Sequence, residues 1–164
     1  MRTALRHQLY RLGYWTLWAS SFVIHRRARG TKCLLFNQGQ VLLVRHTYGP
    51  RSWELPGGGV RRGEQPFDAM RRELREELQV DVAQARELGA RSGPGRYAGT
   101  RISYFAAVLP DRSVVADPIE IADVAWFDPL APPPRLGWNV AELLAEQGQS
   151  VASLPSDPGS PRRG

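Results

Sequence analysis

The stretch PGGGVRRGEQPFDAMRRELREELQV, residues 56–80, decides the fold because it joins a glycine-rich loop to a helical pattern that carries several carboxylates. Pro66 suits the first turn of a helix, where its missing N–H costs nothing. Four apolar residues recur at helical spacing and form one face: Phe67, Met70, Leu74 and Leu78. The pattern predicts a helix over residues 66–78 that packs on a hydrophobic core.

Three glutamates of this helix form a second pattern. Glu73, Glu76 and Glu77 are spaced i, i+3, i+4, which places them on one side of the helix, next to its apolar face. Like charges at these spacings repel and weaken a helix, whereas a divalent cation would turn them into an oxygen-ligand site. Hard carboxylate oxygens favour Mg²⁺ or Mn²⁺. The alternative is a solvated acidic face paired with nearby arginines.

The loop that precedes the helix favours the metal site. Its glycines allow the backbone to turn sharply and to approach a ligand closely. Its arginines, Arg61 and Arg62, are able to neutralise phosphate oxygens. A glycine-rich loop alone is a weak signal, since many are ordinary connections. At a fixed spacing from a carboxylate helix, it becomes much more informative.

The combined pattern resembles the signature of the Nudix hydrolase family. Five residues separate Gly58 from Glu64, and seven more lead to the run RELREELQV, residues 72–80. The preceding WELPG, residues 53–57, is also similar to the family. Because the pattern fixes several residue types over a long span, a chance match is improbable. The signature covers residues 58–80, and the wider resemblance covers about residues 30–147.

One position departs from the family pattern. The family usually has glycine where this chain has Gln79, and that glycine ends the helix, often with a positive φ. A non-glycine residue in the left-handed conformation would cost roughly 1–2 kcal/mol. Gln79 is not a metal ligand in the resemblance, so the departure concerns local geometry rather than catalysis.

The resemblance implies an α/β fold in which a mixed β-sheet lies between α-helices. It also implies a pyrophosphohydrolase that uses Mg²⁺ or Mn²⁺ to cleave the diphosphate bond of a nucleoside diphosphate linked to another moiety. Glu73, Glu76 and Glu77 would bind the metals, and the carbonyl of Gly58 is a further candidate ligand. The rival interpretation is a non-catalytic module that kept the fold and senses a nucleotide.

Four further residues, in the signature or directly before it, have implied supporting roles. Arg72 would orient the glutamates through charge-assisted hydrogen bonds. Glu64 would hold the loop against the helix by pairing with Arg72 or with a backbone N–H. Gly57 and Gly63 are expected to shape the loop.

The general base remains open at this point. One of the signature glutamates, Glu76 or Glu77, would serve, and so would an acid from a later loop. Glu120, just before a predicted strand, is the loop candidate, with Asp123 behind it. The alternative for both later acids is an ordinary surface turn.

Four residues are candidates for contact with the substrate: Arg45, Arg51, Arg96 and Tyr97. Arg45 and Arg51 flank the entry from a strand into a loop and are placed to grip phosphate, although Arg45 fits a solvent-facing strand position equally well. Arg96 and Tyr97 lie in a loop after the signature, where family members often carry residues that select the substrate. Single residues do not decide which substrate is used.

The remaining elements follow from short apolar runs and turn residues. Residues 33–36 and 41–44 predict a β-hairpin across a turn at 37–40. Further strands are expected at 53–55, 102–109 and 124–127, the start of an extended segment at 80–82, a loop at 89–99, and a final helix at 138–147.

The chain divides into residues 1–29, 30–148 and 149–164. The first part is an amphipathic segment rich in Arg and Trp. It suits a helix that lies at a membrane interface or on a partner, and equally a helix that packs on its own domain or a second copy. It is short for a membrane span, and its arginines argue against a signal peptide. The last part is rich in Ser, Pro, Gly and Arg and is expected to be disordered.

Composition sets outer bounds. A chain of 164 residues suits one domain with one core. Its single cysteine, Cys33, excludes an internal disulfide framework and a cysteine-based zinc cluster. The net charge of +6 is carried almost wholly by scattered arginines, so it is weak evidence for nucleic-acid binding. The expected location is the cytoplasm, with peripheral membrane contact left open.

Overall fold

The computed structural model describes residues 29–93 and 99–151. Within these ranges the chain forms the strands β1 (Arg29–Asn37), β2 (Gln40–His46), β3 (Arg86–Ser92), β4 (Arg101–Val108) and β5 (Ile121–Phe127), and the helices α1 (Pro66–Leu78) and α2 (Val140–Val151). The N-terminal amphipathic segment, up to residue 28, lies outside the described residues. No helix of the described ranges is long and apolar enough to cross a membrane.

The five strands form one mixed sheet in the order β3-β4-β1-β2-β5. β1 and β2 make the predicted antiparallel hairpin, and β1 runs parallel to β4. The other neighbours are antiparallel. One end of the sheet therefore gathers the beginnings of β1, β4 and β5 and the ends of β2 and β3. We call it the Arg29 end.

One helix covers each face of the sheet, because successive strand residues point to opposite sides. On one face the strand residues Cys33, Leu35, Leu42 and Val44 pack with Met70, Leu74 and Leu78 of α1. On the other face Leu34, Phe36, Val41 and Leu43 pack with Val140, Leu143 and Leu144 of α2. This arrangement confirms the expected α/β/α architecture.

The predicted bounds of the two helices agree with the structure fully for α1 and partly for α2. α1 has the predicted bounds. α2 begins two residues later than expected and extends to Val151. It therefore includes the first residues of the stretch expected to be disordered, and residues 152–164 lie outside the described ranges.

Three predictions of local structure differ from the observed elements. Residues 80–82 form no strand; Val80 and Val82 instead bury their side chains in the core beneath α1. The loop expected at residues 89–99 begins inside β3, which forms an edge of the sheet and pairs with β4 alone. Most β3 side chains are exposed or only half-buried, so the strand lacks the apolar alternation that reveals a strand in sequence. Residues 53 and 54 form isolated bridges to Leu136 and Val44 rather than a full strand.

Gln79 ends α1 in the left-handed conformation, with φ 55° and ψ 31°. We expect Gln79→Gly to raise the free energy of unfolding by about 1 kcal/mol, because glycine adopts this conformation without a clash of its Cβ. Urea titration would measure the change. Gln40→Gly is the matched control: Gln40 begins strand β2, where glycine weakens the strand. A loss of stability in both variants would contradict the strain at Gln79.

Candidate active site

The glycine-rich loop runs along β1 at the Arg29 end. The N–H of Thr31 donates to the carbonyl of Gly58 at 2.9 Å, and the N–H of Cys33 donates to Pro56 at 3.0 Å. The N–H of Val60 donates to the carbonyl of Arg29 at 2.9 Å. These bonds fix the loop backbone against the sheet. One lone pair of the Gly58 carbonyl is thus already occupied.

Two glycines of the loop are required by close contacts. Gly57 has a φ of +125°, and a Cβ there would overlap the backbone carbonyl of Thr31. A Cβ on Gly58 would overlap the carboxylate of Glu73. The loop therefore approaches both the sheet and the glutamate helix as closely as only glycine allows.

Glu77 is the most deeply placed of the three helix glutamates, with 2% of its surface exposed. Its Oε2 accepts a hydrogen bond from the N–H of Gly57 at 2.8 Å. Burial raises the pKa of Glu77 to about 7, against the opposing effects of the Lys32 ammonium and the Gly57 N–H. An ionised Glu77 is consequently costly in this protein unless a further cation is near.

Lys32 is a residue that the sequence reasoning missed. Its Nζ donates to the carbonyls of Leu55 at 2.7 Å and Gly57 at 3.0 Å, so it anchors the start of the glycine loop. Its charge also lowers the pKa values of Glu73 and Glu77. The available sequence signal was that Lys32 is the single lysine of a chain otherwise rich in arginine.

Arg72 ties the loop and the helix together, as expected. Its Nη1 donates to Glu73 Oε1 at 2.6 Å and to Glu76 Oε2 at 3.3 Å. Its Nη2 donates to the carbonyl of Gly59 at 2.8 Å. Because one nitrogen contacts both carboxylates, the oxygens of Glu73 and Glu76 converge on a single cationic point.

Glu64 makes both of the contacts that were proposed as alternatives. It receives two hydrogen bonds from Arg72, at 2.9 and 3.0 Å, and one from the N–H of Arg61 at 2.8 Å. The hydrogen bonds from Arg72 hold the pKa of Glu64 at about 2. Gly63, with a φ of +80°, shapes the turn just before it. Glu64 thus stays ionised and locks Arg72 in place.

Glu120 lies at the Arg29 end, where its turn is fixed on two sides. The hydroxyl of Thr47 donates to the carbonyl of Ile119 at 2.7 Å, and the N–H of Thr47 donates to the carbonyl of Glu120 at 2.9 Å. Asp117 accepts from the N–H of Ile119 at 2.9 Å, and its own N–H donates to the carbonyl of Glu77 at 2.8 Å. The turn is therefore joined to both β2 and α1.

Glu120 is half-buried and interacts with the helix carboxylates. Burial raises its pKa, and the charges of Glu73, Asp117 and Glu76 raise it further. Glu120 in turn raises the pKa of Glu77. Glu120 and the three helix glutamates therefore share one region of the protein, where carboxylate charges repel one another, and Asp117 adds a fifth negative charge nearby.

The fit of a divalent cation was tested against these contacts. Among the described residues, no three Asp, Glu, His or Cys side chains are close enough together to form a metal-ligand group. Arg72 instead stands between Glu73 and Glu76, and Gly57 holds Glu77. The donor chemistry nevertheless fits Mg²⁺ or Mn²⁺, since all donors are hard oxygens whose mutual repulsion a cation would relieve.

Arg45 and Asp123 do not join this carboxylate group. They form an ion pair with each other at 2.9 Å, and the Arg45 guanidinium lies 4.7 Å from the centre of the Trp53 ring. Trp53 packs on the α2 side of the sheet, opposite the glutamate helix. The placement of Asp123 behind Glu120 as a possible base is therefore wrong, because residues 45 and 123 are register partners on that other face.

The structure gives less information about the other three candidates for contact with the substrate. Arg51 lies in the exposed loop that follows β2, with a φ of +54°. Arg96 and Tyr97 fall outside the described residues, so their assignment stays a prediction.

His46, at the end of β2, makes the stability of the protein depend on pH in a way that can be measured. Burial lowers its pKa from 6.5 to about 4, aided by the charge of Lys32. As the pH falls below 6.5, the unfolded chain binds a proton before the folded chain does. We therefore expect the stability that a neutral His46 allows to be complete above pH 6.5 and to fall by about 2 kcal/mol near pH 4.5.

The measurement is the difference in free energy of unfolding between the wild type and His46→Gln, from urea titrations near pH 7.5 and near pH 4.5. Taking the difference cancels the contribution of the carboxylates to the pH dependence, because their raised pKa values act in the opposite direction and are present in both proteins. A difference that does not change between the two pH values would show that His46 titrates normally.

Comparison with known proteins supplies the family. The family model described as NUDIX domain matches residues 26–147. An RNA pyrophosphohydrolase of Marinomonas sp. (strain MWYL1) is 38% identical over 136 residues, which cover 73% of this chain and 77% of that protein. An RNA pyrophosphohydrolase of Rhodospirillum rubrum is 33% identical over 92 residues, 48% of this chain and 56% of that protein.

Solved structures agree on the fold. A MutT NUDIX hydrolase from Burkholderia pseudomallei superposes with a TM-score of 0.68 at 21% identity, covering 74% of this chain and 98% of the other. A NUDIX-family hydrolase from Clostridium perfringens gives a TM-score of 0.65 at 15% identity, with 76% and 98% covered. At these identities the likeness concerns architecture alone.

Proposed function

The chain belongs to the Nudix hydrolase family, and from that premise we propose that it hydrolyses the diphosphate bond of a nucleoside diphosphate joined to another group, with Mg²⁺ or Mn²⁺. The observation that carries the proposal is the shared region of Glu73, Glu76, Glu77 and Glu120 beside a glycine loop, where one nitrogen of Arg72 binds both Glu73 and Glu76 and the N–H of Gly57 holds Glu77. Burial and the charges of neighbouring carboxylates raise the pKa values of Glu73, Glu77 and Glu120. Repelling carboxylates kept this close favour a cation-binding role over a purely structural one.

In this proposal Glu73, Glu76 and Glu77 hold the metal, and the remaining lone pair of the Gly58 carbonyl adds a ligand. When bound, the cation supplies neutralisation of phosphate charge and a more acidic water. Arg72 positions Glu73 and Glu76 through its hydrogen bonds, and Glu64 keeps Arg72 ionised and fixed.

We assign the general base to Glu120 in preference to the helix glutamates. Its half-buried carboxylate has a raised pKa, which suits a group that must accept a proton from water near neutral pH. Glu77 is almost fully buried and already accepts a hydrogen bond from Gly57, so it is better suited to hold a ligand than to exchange protons.

The test is a panel of compounds that contain a diphosphate linkage, incubated with the full chain and either metal, with products identified by mass spectrometry. The panel includes dinucleoside polyphosphates, nucleotide sugars, nucleoside triphosphates and RNA with a 5′ triphosphate. We expect metal-dependent cleavage of at least one class. A panel without any phosphate-containing product would count strongly against an enzyme.

RNA with a 5′ polyphosphate is the candidate substrate that the relatives favour. Both relatives described above are named RNA pyrophosphohydrolases, and the more extensive match covers 77% of the relative's length. Other proteins of that name match over about 60 residues, roughly a third of their length. This activity is therefore proposed for the present chain and is tested by its rate relative to the free nucleotides in the panel.

The non-catalytic sensor remains the rival. A sensor requires affinity for a nucleotide but no turnover, so it would bind members of the panel in calorimetry and release nothing. The presence of all four carboxylates argues against it, because ligand recognition alone does not need so many repelling charges.

A further inference from the structure

The arginines of this chain differ in whether they have a partner. Most of those in the described ranges are paired: Arg71 and Arg75 with Asp81, Arg86 with Gln147, and Arg112 with Asn37. Five exposed arginines form no side-chain hydrogen bond or ion pair with another described residue: Arg29, Arg51, Arg62, Arg101 and Arg135.

The five unpaired arginines share a location. Arg29 and Arg101 begin β1 and β4, and Arg51 follows the end of β2, so all three lie at the Arg29 end. Arg62 lies three residues after Gly59, which bridges to Gly30, and the carbonyl of Arg135 accepts a hydrogen bond from the N–H of Trp53. Arg86 and Arg112, which are paired, lie at the opposite end of the sheet.

Arg29 and Arg101 are also register partners on adjacent parallel strands. Like charges on neighbouring strands repel and destabilise the pair. Acidic side chains relieve such repulsion elsewhere in the protein, as Asp81 does between Arg71 and Arg75. No acidic partner of this kind is recorded for Arg29 or Arg101 among the described residues. The arrangement suits an external anion.

This pair borders the proposed active site. The N–H of Val60 donates to the carbonyl of Arg29, and Gly59 bridges to Gly30. A Cβ on Gly58, the residue before Gly59, would overlap the Glu73 carboxylate, so the loop backbone lies against that carboxylate. A polynucleotide that has one end at the carboxylates and runs along the glycine loop therefore passes the two arginines. A free nucleotide has all its phosphates at the carboxylates and leaves these cations unused.

We propose that Arg29 and Arg101, with Arg62 of the adjoining glycine loop, bind phosphodiester groups of a single-stranded RNA whose 5′ polyphosphate lies at the carboxylates. The inference rests on the proposed function and specifies its substrate class. Exposed guanidinium groups that border a catalytic site provide sequence-independent affinity for successive phosphates.

The experiment measures binding without hydrolysis. A fluorescently labelled, 5′-monophosphorylated RNA of about ten nucleotides is titrated with the full chain in EDTA at several salt concentrations, and anisotropy gives the dissociation constant. Arg29→Gln/Arg101→Gln should raise that constant about tenfold. It should also reduce the slope of log affinity against log salt by about 1.4, the value for two lost contacts to a single strand.

Arg86→Gln/Arg112→Gln is the matched control, since it removes the same charge from paired arginines at the opposite end of the sheet. We expect it to leave the dissociation constant within about twofold of the wild type. Equal weakening in both double variants, or no measurable RNA binding by the wild type, would overturn the proposal. Thermal unfolding checks that both variants are folded.

Failure of this inference and failure of the proposed function give different results. If the protein hydrolyses free nucleotides but its RNA binding does not depend on Arg29 and Arg101, the proposed activity stands and the proposed RNA surface is wrong. If the protein binds RNA through these arginines but cleaves no member of the panel, the RNA surface stands and the proposed activity is wrong. Where both hold, the double variant should lower kcat/KM for RNA more than for nucleoside triphosphate.

Discussion

Glu77→Gln should lower metal-dependent hydrolysis by about 10³-fold, the scale on which one preorganised group contributes to catalysis. The amide has nearly the same shape, and its oxygen still accepts the hydrogen bond from the N–H of Gly57. The variant therefore removes the negative charge and little else. Steady-state assays on the most active member of the substrate panel, with Mg²⁺ and with Mn²⁺, would measure the loss.

The same variant should not be less stable without metal. Burial raises the pKa of Glu77 to about 7 from 4.5, so its ionised form is disfavoured in the folded protein. The contribution of protonated Glu77 to the free energy of unfolding is fully present below pH 4.5 and is lost as the pH rises through 7. Near pH 8 the uncharged amide is therefore expected to raise the free energy of unfolding by about 2 kcal/mol.

Glu87→Gln is the control for this experiment, because Glu87 is an exposed residue of β3 remote from the carboxylates. It should leave both activity and stability near the wild-type values. Retention of full activity by the Glu77 variant would remove that residue from the metal site. Loss of turnover with retained nucleotide affinity is expected of an enzyme, whereas a sensor would show affinity without turnover in the wild type as well.

The glutamate helix and the first hairpin were predictable because their signals are local. Helical spacing of apolar residues fixed the bounds of α1, and two short apolar runs around a turn fixed β1 and β2. The family resemblance supplied the architecture, a mixed sheet between helices, which no local pattern contains. It also identified Gln79 as a position of left-handed backbone, and the structure confirms it.

Other features depend on contacts between distant parts of the chain and left no local signal. β3 is recognisable only by its pairing with β4, since most of its residues are charged or small and none is buried. Lys32 acts through the carbonyls of Leu55 and Gly57, more than twenty positions away. Arg45 was a plausible phosphate ligand in sequence, but its register partner Asp123 and its contact with Trp53 hold it on the other face.

Gly57→Ala should reduce stability more than any other single methyl addition to the glycine loop. Its φ of +125° is a conformation that L side chains rarely adopt, and the added Cβ would overlap the backbone oxygen of Thr31. The Cα of Lys32 is also only 3.0 Å from that Cβ position. Neither backbone atom can move without disturbing β1, so we expect a loss of about 3 kcal/mol or more.

Gly59→Ala provides the contrast within the same loop. No atom lies within 4 Å of a Cβ at Gly59, and its φ is not positive. Alanine there should change the free energy of unfolding by less than about 0.5 kcal/mol, and the reduced freedom of the unfolded chain offsets part of any cost. Urea titration of both variants in parallel separates the close contact at Gly57 from a general effect of loop substitution.

The Gly57 variant should also affect the site, because the N–H of Gly57 is the donor that holds Glu77. If the backbone shifts to relieve the overlap, that hydrogen bond lengthens and Glu77 loses its fixed position. Mn²⁺ affinity measured by calorimetry, below the temperature at which the variant unfolds, should therefore fall in Gly57→Ala and stay unchanged in Gly59→Ala. Normal stability and cation affinity in the Gly57 variant would show that the loop accommodates a side chain there, and the proposed link between the loop and the carboxylates would then be lost.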